Sequence, residues 1–330
     1  MSHTNPAQLS TSNPSKKSVS IRQLTIASRK SALALWQSEF IKSQLKSLYP
    51  DLTVNILSMS TQGDKILDVP LAKIGGKGLF VKELETALLT GEADIAVHSM
   101  KDVPMAFPEG LELGAICERA DPFDAFVSNH YNDLADLPAK SVVGTSSLRR
   151  QSQLSAIRPD LEIKPLRGNV NTRLKKLDEG EFDAIILAAS GLKRLGFDAR
   201  IKSTLNQEDS LPAVGQGALG IECRTEDKHI KELIAPLSHS TSELCVRAER
   251  AMNERLQGGC QVPIAGFATL NENEITLQGL VASIDGKTIL KSTMSLDATQ
   301  GEELGVAIAE DLLAQGAGPL LEAAHEHQPT

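Results

Sequence analysis

Two arginine-rich segments carry the side chains of this sequence that are best suited to chemistry. The first is Gly144-Thr145-Ser146-Ser147-Leu148-Arg149-Arg150, in which a glycine turn and three hydroxyl residues lead into two arginines. The second follows closely as Arg167-Gly168-Asn169-Val170-Asn171-Thr172-Arg173. Guanidiniums and hydroxyls bind carboxylate or phosphate directionally, and the free N–H groups at the start of a helix add to such a site. The pattern predicts a site for an anionic small molecule, although ion pairing of Arg149 and Arg150 with acidic residues inside the protein is the alternative.

The positive charge of the chain is concentrated around these segments. Between Thr145 and Arg194 there are ten Lys or Arg and six Asp or Glu, whereas the whole chain has a net charge of −8. Only 3% of the residues are aromatic, so the chain lacks both the basic surface and the stacking side chains typical of nucleic-acid binding. No run approaches the roughly 18 apolar residues that a membrane-spanning helix needs. We therefore expect neither nucleic acid nor membrane as a partner.

A Lys–Asp pair follows a predicted buried strand in His98-Ser99-Met100-Lys101-Asp102-Val103-Pro104. Ligands of open α/β sheets bind at the carboxyl ends of strands, and a turn ahead of Pro104 would bring Lys101 and Asp102 into one cleft. An aspartate there can stabilise a developing cation or hand a proton to a leaving amine. A solvated Lys–Asp pair in a turn is the alternative.

Cys260 is the cysteine best placed for covalent attachment. It lies in Gly258-Gly259-Cys260-Gln261-Val262-Pro263, past a predicted helix end, where the thiol is accessible. The other three cysteines are expected to be buried and inert, and no two cysteines have the spacing of a metal site. They are Cys117, Cys223 and Cys245.

Further cationic residues stand at other predicted element ends. Arg29-Lys30-Ser31 ends the first predicted strand, where Ser31 could cap the next helix, and a plain helix cap is the alternative. Lys73 and Lys77 lie on a glycine-rich loop between Gly63 and Gly78, which is suited to close over an anion.

The hydrophobic pattern predicts the elements that must position these residues. Strands and helices alternate in two stretches, which indicates two α/β domains with largely parallel sheets and a cleft between them. A third, smaller α+β region begins near Glu243 and ends in a helix running to Leu321. The predicted elements are strand 24–27, helix 31–48, strand 54–59, helix 80–89, strand 94–98, strands 125–127 and 141–143, strand 184–189, helix 243–256 and strands around 275–280.

Taken together, the motifs closely resemble those of the hydroxymethylbilane synthase family, also called the porphobilinogen deaminases. The resemblance extends from about Leu24 through the C-terminal region. Its motifs are Ala96-Val97-His98-Ser99-Met100-Lys101-Asp102-Val103-Pro104, the two arginine-rich segments, Leu211-Pro212-Ala213-Val214-Gly215-Gln216-Gly217 and Gly258-Gly259-Cys260-Gln261-Val262-Pro263.

The resemblance implies a fold of three domains. The first two are similar to periplasmic binding proteins, with a cleft between them, and the third is a small α+β domain that carries the cofactor cysteine. The expected limits are 21–117 with 218–236 for domain 1, 118–217 for domain 2 and 240–330 for domain 3. Residues 1–20 are expected to form a disordered tail.

The resemblance also implies the activity. Members of the family join four porphobilinogen molecules head to tail with loss of ammonia, through a cationic azafulvene, and release the linear tetrapyrrole hydroxymethylbilane by hydrolysis. The chain grows on a dipyrromethane cofactor held by a thioether, here to Cys260. By the same resemblance Asp102 is the catalytic carboxylate, with Lys101 beside it. Porphobilinogen and the growing polypyrrole are therefore the expected partners, with no metal.

Further site residues follow from the resemblance alone. The cofactor-contacting residues are Ser99, Lys101, Asp102, Thr145, Ser146, Ser147, Arg149, Arg150 and Arg173. The substrate-contacting residues are Arg29, Ser31, Gln37, Lys73, Lys77, Arg149, Arg167, Arg173 and Arg194.

Two other classes of protein remain open at this point. A non-catalytic anion-binding protein with a two-domain cleft explains the arginines but leaves Asp102 and Cys260 without a role. A cysteine-dependent acyl transferase is disfavoured because no histidine is placed to partner the thiol. The absence of a signal peptide favours the cytoplasm, and the family resemblance favours a monomer.

Overall fold

The structure is a computed structural model that describes residues 22–65, 81–259 and 262–326. The predicted tail (residues 1–20), the loop lysines Lys73 and Lys77, and Cys260 lie outside these residues.

Within the described ranges the chain forms thirteen strands and ten α-helices, joined in places by single 3-10 turns. The strands are β1 (Gln23–Arg29), β2 (Thr53–Met59), β3 (Ile95–Ser99), β4 (Leu111–Ile116), β5 (Asp124–Val127), β6 (Val142–Gly144), β7 (Glu162–Lys164), β8 (Ala184–Ala188), β9 (Ser203–Thr204), β10 (Leu219–Arg224), β11 (Ile264–Asn271), β12 (Glu274–Ala282) and β13 (Ile289–Asp297). The helices are α1 (Ala32–Leu48), α2 (Gln62–Lys65), α3 (Lys82–Leu89), α4 (Leu148–Ile157), α5 (Val170–Asp178), α6 (Ala189–Arg194), α7 (Lys228–Ile234), α8 (Ser240–Arg255), α9 (Gly301–Ala314) and α10 (Ala317–Glu326).

The first sheet has the strand order β2-β1-β3-β10-β4. β1 pairs in parallel with β2 and β3, whereas β10 runs antiparallel to both of its neighbours. Apolar residues of β1 and α1, including Leu24, Ile26, Ile41 and Leu45, are fully buried in its core. Burial of such side chains is the main force that holds the helix on the sheet.

The second sheet repeats this arrangement with the order β7-β6-β8-β5-β9. Here β5 is the reversed strand, antiparallel to β8 and β9. In both sheets the reversed strand is the one that follows a crossing between domains, at residues 117–123 and 205–218. Within one sheet, a helical crossover between two strands makes them run parallel. A strand that arrives from another sheet needs no such crossover, so it can run antiparallel to its neighbours. Parallel pairing is therefore confirmed for three strands of each sheet, and β4 and β9, which pair only with the reversed strand, run in the same direction as those three.

The third sheet is an antiparallel meander, β11-β12-β13, covered by α8, α9 and α10. The single helix that was expected to reach Leu321 is wrong, because α9 ends at Ala314 and α10 starts at Ala317. Gly316 between them has φ 104, a left-handed backbone that ends a helix. Ala189, expected at the end of a strand, instead starts α6.

The α/β class with three domains is confirmed, and the exact domain limits stay predictions. No single helix in the described ranges is long and apolar enough to cross a membrane. The segments 298–314 and 317–326 reach that length and composition only jointly, and they are bent by 86°.

Candidate functional site

The Lys–Asp pair lies on a tight turn at the end of β3, as the sequence predicts. Met100–Asp102 forms one 3-10 turn, closed by a hydrogen bond from the Val103 N–H to the Met100 carbonyl oxygen at 3.2 Å. Asp102 is exposed, and Lys101 is half-buried beside it. The pKa of Lys101 is lowered to about 8, chiefly by burial and to a smaller extent by repulsion from Arg150 and Arg149. The attraction of Asp102 opposes this shift. We name Met100–Asp102 the catalytic turn.

A cavity of about 60 Å³ opens beside the catalytic turn. Its polar lining comes from three elements, namely the end of β1, the start of α1 and the end of β3. These lining residues are Arg29, Ser31, Gln37, His98, Ser99 and Asp102. The buried Gln37 donates from Nε2 to Ser99 Oγ at 2.8 Å, which ties α1 to β3. Ser31 caps α1 by accepting a hydrogen bond from the Ala34 N–H at 3.3 Å, so the expected cap is confirmed.

The hydroxyl residues ahead of α4 hold the backbone turn that aims its arginines. Ser147 caps the helix by accepting from the Arg150 N–H at 3.4 Å, and Thr145 Oγ1 accepts from the Ser147 N–H at 3.2 Å. Ser146 Oγ donates to the Leu166 carbonyl oxygen at 2.9 Å, which links this turn to the second arginine-rich segment.

Arg149 and Arg150 are buried and share one carboxylate, Asp124, at the start of β5. Arg149 Nη1 lies 2.8 Å from Asp124 Oδ2, and Arg150 Nη2 lies 2.8 Å from Oδ1. Ser210 Oγ and Gln216 Nε2 also donate to this carboxylate, at 2.8 and 2.9 Å. Burial alone would raise the pKa of Asp124, but the two arginines outweigh it and hold that pKa far below its usual range. The internal ion pairing that was the alternative is therefore present, and because two guanidiniums share one carboxylate, one positive charge of the three groups stays uncompensated.

Arg173 and Arg167 extend this positive region. Burial lowers the pKa of Arg173 to about 10, and repulsion from Arg150 and Arg167 adds to it, whereas Asp102 opposes it. Arg173 Nε donates to the Gly168 carbonyl oxygen at 2.8 Å, which leaves its terminal nitrogens for other partners. The catalytic turn, α4 and α5 thus bring their charges within reach of one another.

Arg194 lies apart from this group, at the end of α6. Its Nη2 donates to the Gly217 carbonyl oxygen at 2.7 Å, and its Cζ lies 5.9 Å from the centre of the Trp36 ring. Burial lowers its pKa to about 10.

Sequence reasoning missed Asp124 and Gln216, although both touch the arginines. A signal was present, because two adjacent buried cations require an acidic partner. Asp124 opens the otherwise apolar strand Asp124–Val127, where an aspartate is out of place without such a partner.

A second buried polar pair joins β3 to its neighbour β10. His98 Nε2 lies 2.8 Å from Glu222 Oε2, and both side chains are almost fully buried. Burial, followed by repulsion from Glu222, raises the pKa of the neighbouring Glu85. His98 therefore belongs to a structural cluster as well as to the cavity wall.

Helix α8 of domain 3 contacts both domain crossings and the two residues that follow the catalytic turn. The fully buried Glu249 pairs with Arg119 at 2.6 Å and accepts from the Gly215 N–H at 2.7 Å, so it binds one residue of each crossing. The next residue, Arg250, donates to the carbonyl oxygens of Val103 and Pro104 at 3.3 and 2.8 Å. α8 therefore holds the residues that directly follow the catalytic turn against the two domain crossings.

The glycines of the second crossing permit a close approach at this point. Gly215 has φ 70, and a Cβ there would lie 2.8 Å from Met100 Cβ. Gly217 has φ 94, and its Cβ would lie 2.5 Å from the Ala120 carbonyl oxygen. A side chain at Gly215 would therefore push the second crossing away from the catalytic turn, and one at Gly217 would push it away from the first crossing. Among the residues that the structure describes, no cluster of three or more His, Cys, Asp or Glu could hold a metal ion.

Comparison with known families gives two matches in chain order. The family model for porphobilinogen deaminase, dipyromethane cofactor binding domain, matches residues 24–232. The model for porphobilinogen deaminase, C-terminal domain, matches residues 243–314.

Solved structures of similar shape are distant in sequence. The periplasmic aliphatic sulphonate binding protein SsuA from Escherichia coli is 12% identical, with TM-score 0.39, over 94% of this chain and 80% of its own. The OxyR2 regulatory domain from Vibrio vulnificus is 15% identical, with TM-score 0.42, over 68% of this chain and 100% of its own. The periplasmic VFT2 domain of Bordetella pertussis BvgS is 16% identical, with TM-score 0.39, over 64% of this chain and 85% of its own.

Proposed function

The chain belongs to the porphobilinogen deaminase family, and from this premise we propose how its residues divide the work of the reaction. The enzyme is a transferase of tetrapyrrole synthesis. It deaminates porphobilinogen, joins the units stepwise onto a dipyrromethane primer and releases hydroxymethylbilane by hydrolysis. The non-catalytic anion-binding alternative is not favoured. One observation carries the proposed division of roles: the exposed carboxylate of Asp102 lies beside a cavity and is surrounded by cationic side chains.

The charge of the site fits the dipyrromethane cofactor. Each of its pyrrole rings carries an acetate and a propionate, and Arg149, Arg150 and Asp124 together leave one positive charge uncompensated. Arg173 and Lys101 add two more cations beside them. When bound, the cofactor supplies the terminal pyrrole to which the first substrate is joined. We propose that these four cations, with the hydroxyls of Ser99, Thr145, Ser146 and Ser147 near them, hold the carboxylates of the primer.

Asp102 is the proposed catalytic residue. In this role its exposed carboxylate stabilises the positive charge that develops as the amine of porphobilinogen leaves, and it holds the departing ammonium. Lys101 is placed beside it, and the attraction of Asp102 favours the charged form of Lys101.

The cavity lining is the proposed substrate pocket. Arg29 and Ser31 supply a guanidinium and a hydroxyl for the substrate carboxylates, and Gln37 is held in place by Ser99. Arg167, Arg173 and Arg194 are the proposed contacts of the lengthening chain, and Lys73 and Lys77, which lie outside the described residues, are proposed to contact it as well.

Cys260 is the proposed attachment point of the primer, and its test is the intact mass of the protein. We expect the purified protein to exceed its sequence mass by two condensed pyrrole units, and Cys260→Ser to lack this excess because a hydroxyl does not replace the thiolate nucleophile under the same conditions. The matched control is Cys245→Ala, which removes a buried thiol of the same domain. An excess that survives in Cys260→Ser would place the primer on another residue.

Lys101 is expected to set an alkaline limit on activity. Because its pKa is about 8, its ammonium is present below that pH and is lost as the pH rises through it. We therefore expect kcat/KM to fall above about pH 8. Lys101→Arg stays charged, so it should move this limb to higher pH, and Lys101→Met should remove the limb while lowering activity throughout. The control is Lys193→Met, an exposed lysine paired with Asp121. An unchanged limb in both Lys101 variants would assign it to another group.

The cytoplasmic location and the monomeric state stay predictions. The small-molecule partners are porphobilinogen and the growing polypyrrole chain.

A further inference from the structure

The surface of α1 carries an exposed pair of stacked aromatic rings. The rings of Trp36 and Phe40 have centroids 5.4 Å apart and planes within 5° of each other. Both side chains remain more than a third exposed, at 37% and 38%. Large aromatic side chains that stay on the surface forgo the free energy of burial, and such patches commonly mark binding sites.

This aromatic pair continues the wall of the catalytic cavity. Leu33 and Gln37 line the cavity, and Trp36 and Phe40 follow Leu33 by three and seven residues, on the same face of α1. Leu33, Trp36 and Phe40 therefore form an apolar stripe that runs outward along the helix, from the cavity to solvent. α6 of domain 2 borders it, because Leu33 approaches Gly191 closely.

The guanidinium of Arg194 lies beside these rings. Arg194 reaches over the Trp36 ring at 5.9 Å and is anchored to the Gly217 carbonyl oxygen by Nη2. In the parts of the chain that the structure describes, no Asp or Glu forms an ion pair with Arg194. An apolar ring platform beside an uncompensated guanidinium matches a ligand that combines a flat ring with a carboxylate.

The cavity itself is too small for a lengthening product. At about 60 Å³ it has room for only a few water molecules, since one water takes roughly 10–15 Å³ of such a volume. A porphobilinogen held by the lining residues therefore already projects out of this volume, and because each reaction cycle adds a ring with two carboxylates, the rings already joined must lie further out.

We propose that Trp36, Phe40 and Arg194 form an extension subsite, which binds a carboxylate-bearing pyrrole ring of the growing chain outside the cavity. The ring packs against the exposed face of Phe40 and the edge of Trp36, and its carboxylate pairs with Arg194. This inference rests on the proposed function, because the ligand is the product chain of that reaction.

The first experiment counts the substrate units bound to the holoenzyme after rapid mixing with porphobilinogen, by mass spectrometry of the stopped protein. In Trp36→Ala and Phe40→Ala we expect the first addition to proceed at the wild-type rate. Later additions should slow by about two- to tenfold, the effect of losing one stacked ring, so that partly extended enzyme accumulates. Trp36→Phe should restore the later steps because it keeps a ring. Leu48→Ala is the matched control, since Leu48 is an exposed apolar residue of the same helix.

The second experiment uses Trp36 as a spectroscopic probe, because it is the only tryptophan in the chain. Its fluorescence should stay constant during the first addition to the holoenzyme and change when later units are added. A purely structural contact between α1 and α6 would instead slow all additions alike, or lower the unfolding temperature without changing the step pattern.

The outcomes separate the two proposals. If units add to the wild-type protein but neither the late rates nor the fluorescence respond, the extension subsite is wrong and the proposed function stands. If no units add to the wild-type holoenzyme, both are wrong. If every addition slows equally in Trp36→Ala, Trp36→Phe and Phe40→Ala, the extension subsite is also wrong.

Discussion

Asp102→Ala is expected to retain the fold and substrate binding while its turnover falls by at least about 100-fold. The carboxylate of Asp102 is exposed on the catalytic turn, and no ion pair or hydrogen bond of the described residues ties it to the fold. Stability should therefore change by no more than about 0.5 kcal/mol. Turnover should fall because a charge placed where a cation develops acts in the transition state and not in the folded ground state.

The Asp102→Glu variant distinguishes the effect of the carboxylate's charge from the effect of its position. It keeps the carboxylate but moves it by about one methylene, and a shift of ~1 Å in a reacting group can cost on the order of 100-fold. The measurements are ammonia release in a single turnover, KM, and the unfolding midpoint of each variant. Glu109→Ala, an exposed acidic residue on the following loop, is the control that should match the wild type. Turnover in Asp102→Ala within a few-fold of the wild type would exclude Asp102 from the mechanism.

Asp124→Asn should have the largest effect on stability. The Asp124 carboxylate is fully buried and pairs with both Arg149 and Arg150, so its neutralisation leaves two like charges in the interior. Breaking a buried ion pair from one side costs about 3–5 kcal/mol. Because the two guanidiniums would no longer be held at the head of α4, we also expect primer assembly to fail. The free energy of unfolding in urea and the intact mass of the product measure the two effects.

The pH dependence of stability gives the same residue an independent test. The pKa of Asp124 is far lower in the folded protein than in the unfolded chain, so its contribution is fully present above the unfolded value of about 4. That contribution is lost as the pH falls below about 4, and Asp124→Asn should flatten this part of the curve. Asp160→Asn is the control, because Asp160 pairs with Arg158 at the surface, where solvent screens the interaction. Equal losses of stability in the two variants would contradict a special role for the buried group.

Most of the local structure could be predicted from short stretches of sequence. The starts of α1 and α4 follow from Ser31 and Ser147, because a cap acts on N–H groups two or three residues away. The catalytic turn likewise follows from a buried strand that runs into Pro104. The five motifs in their order also sufficed to identify the family, since each is a local string of residue types.

The long-range pairing of charges was decided only by the tertiary structure. Asp124 is separated from Arg149 and Arg150 by 25 and 26 residues, and it meets them because β5 enters the second sheet from the other domain. Local patterns do not encode which buried acid will face a given arginine. For the same reason the sequence predicts that Arg149 and Arg150 bind an anion but does not identify Asp124 as the carboxylate that pairs with both.

The sequence by itself determined the family of this protein through its five motifs, and with it the roles proposed for Asp102, the arginine-rich segments and the cysteine motif. The tertiary structure alone decided how these residues are brought together. It reverses strands β5 and β10 and brings Glu249 and Arg250 against the crossings and the residues after the catalytic turn. It also places the exposed aromatic rings of α1 beside Arg194. The physical reason is that caps, turns and hydrophobic periodicity act over a few residues. Strand order and buried ion pairs instead depend on how the whole chain packs.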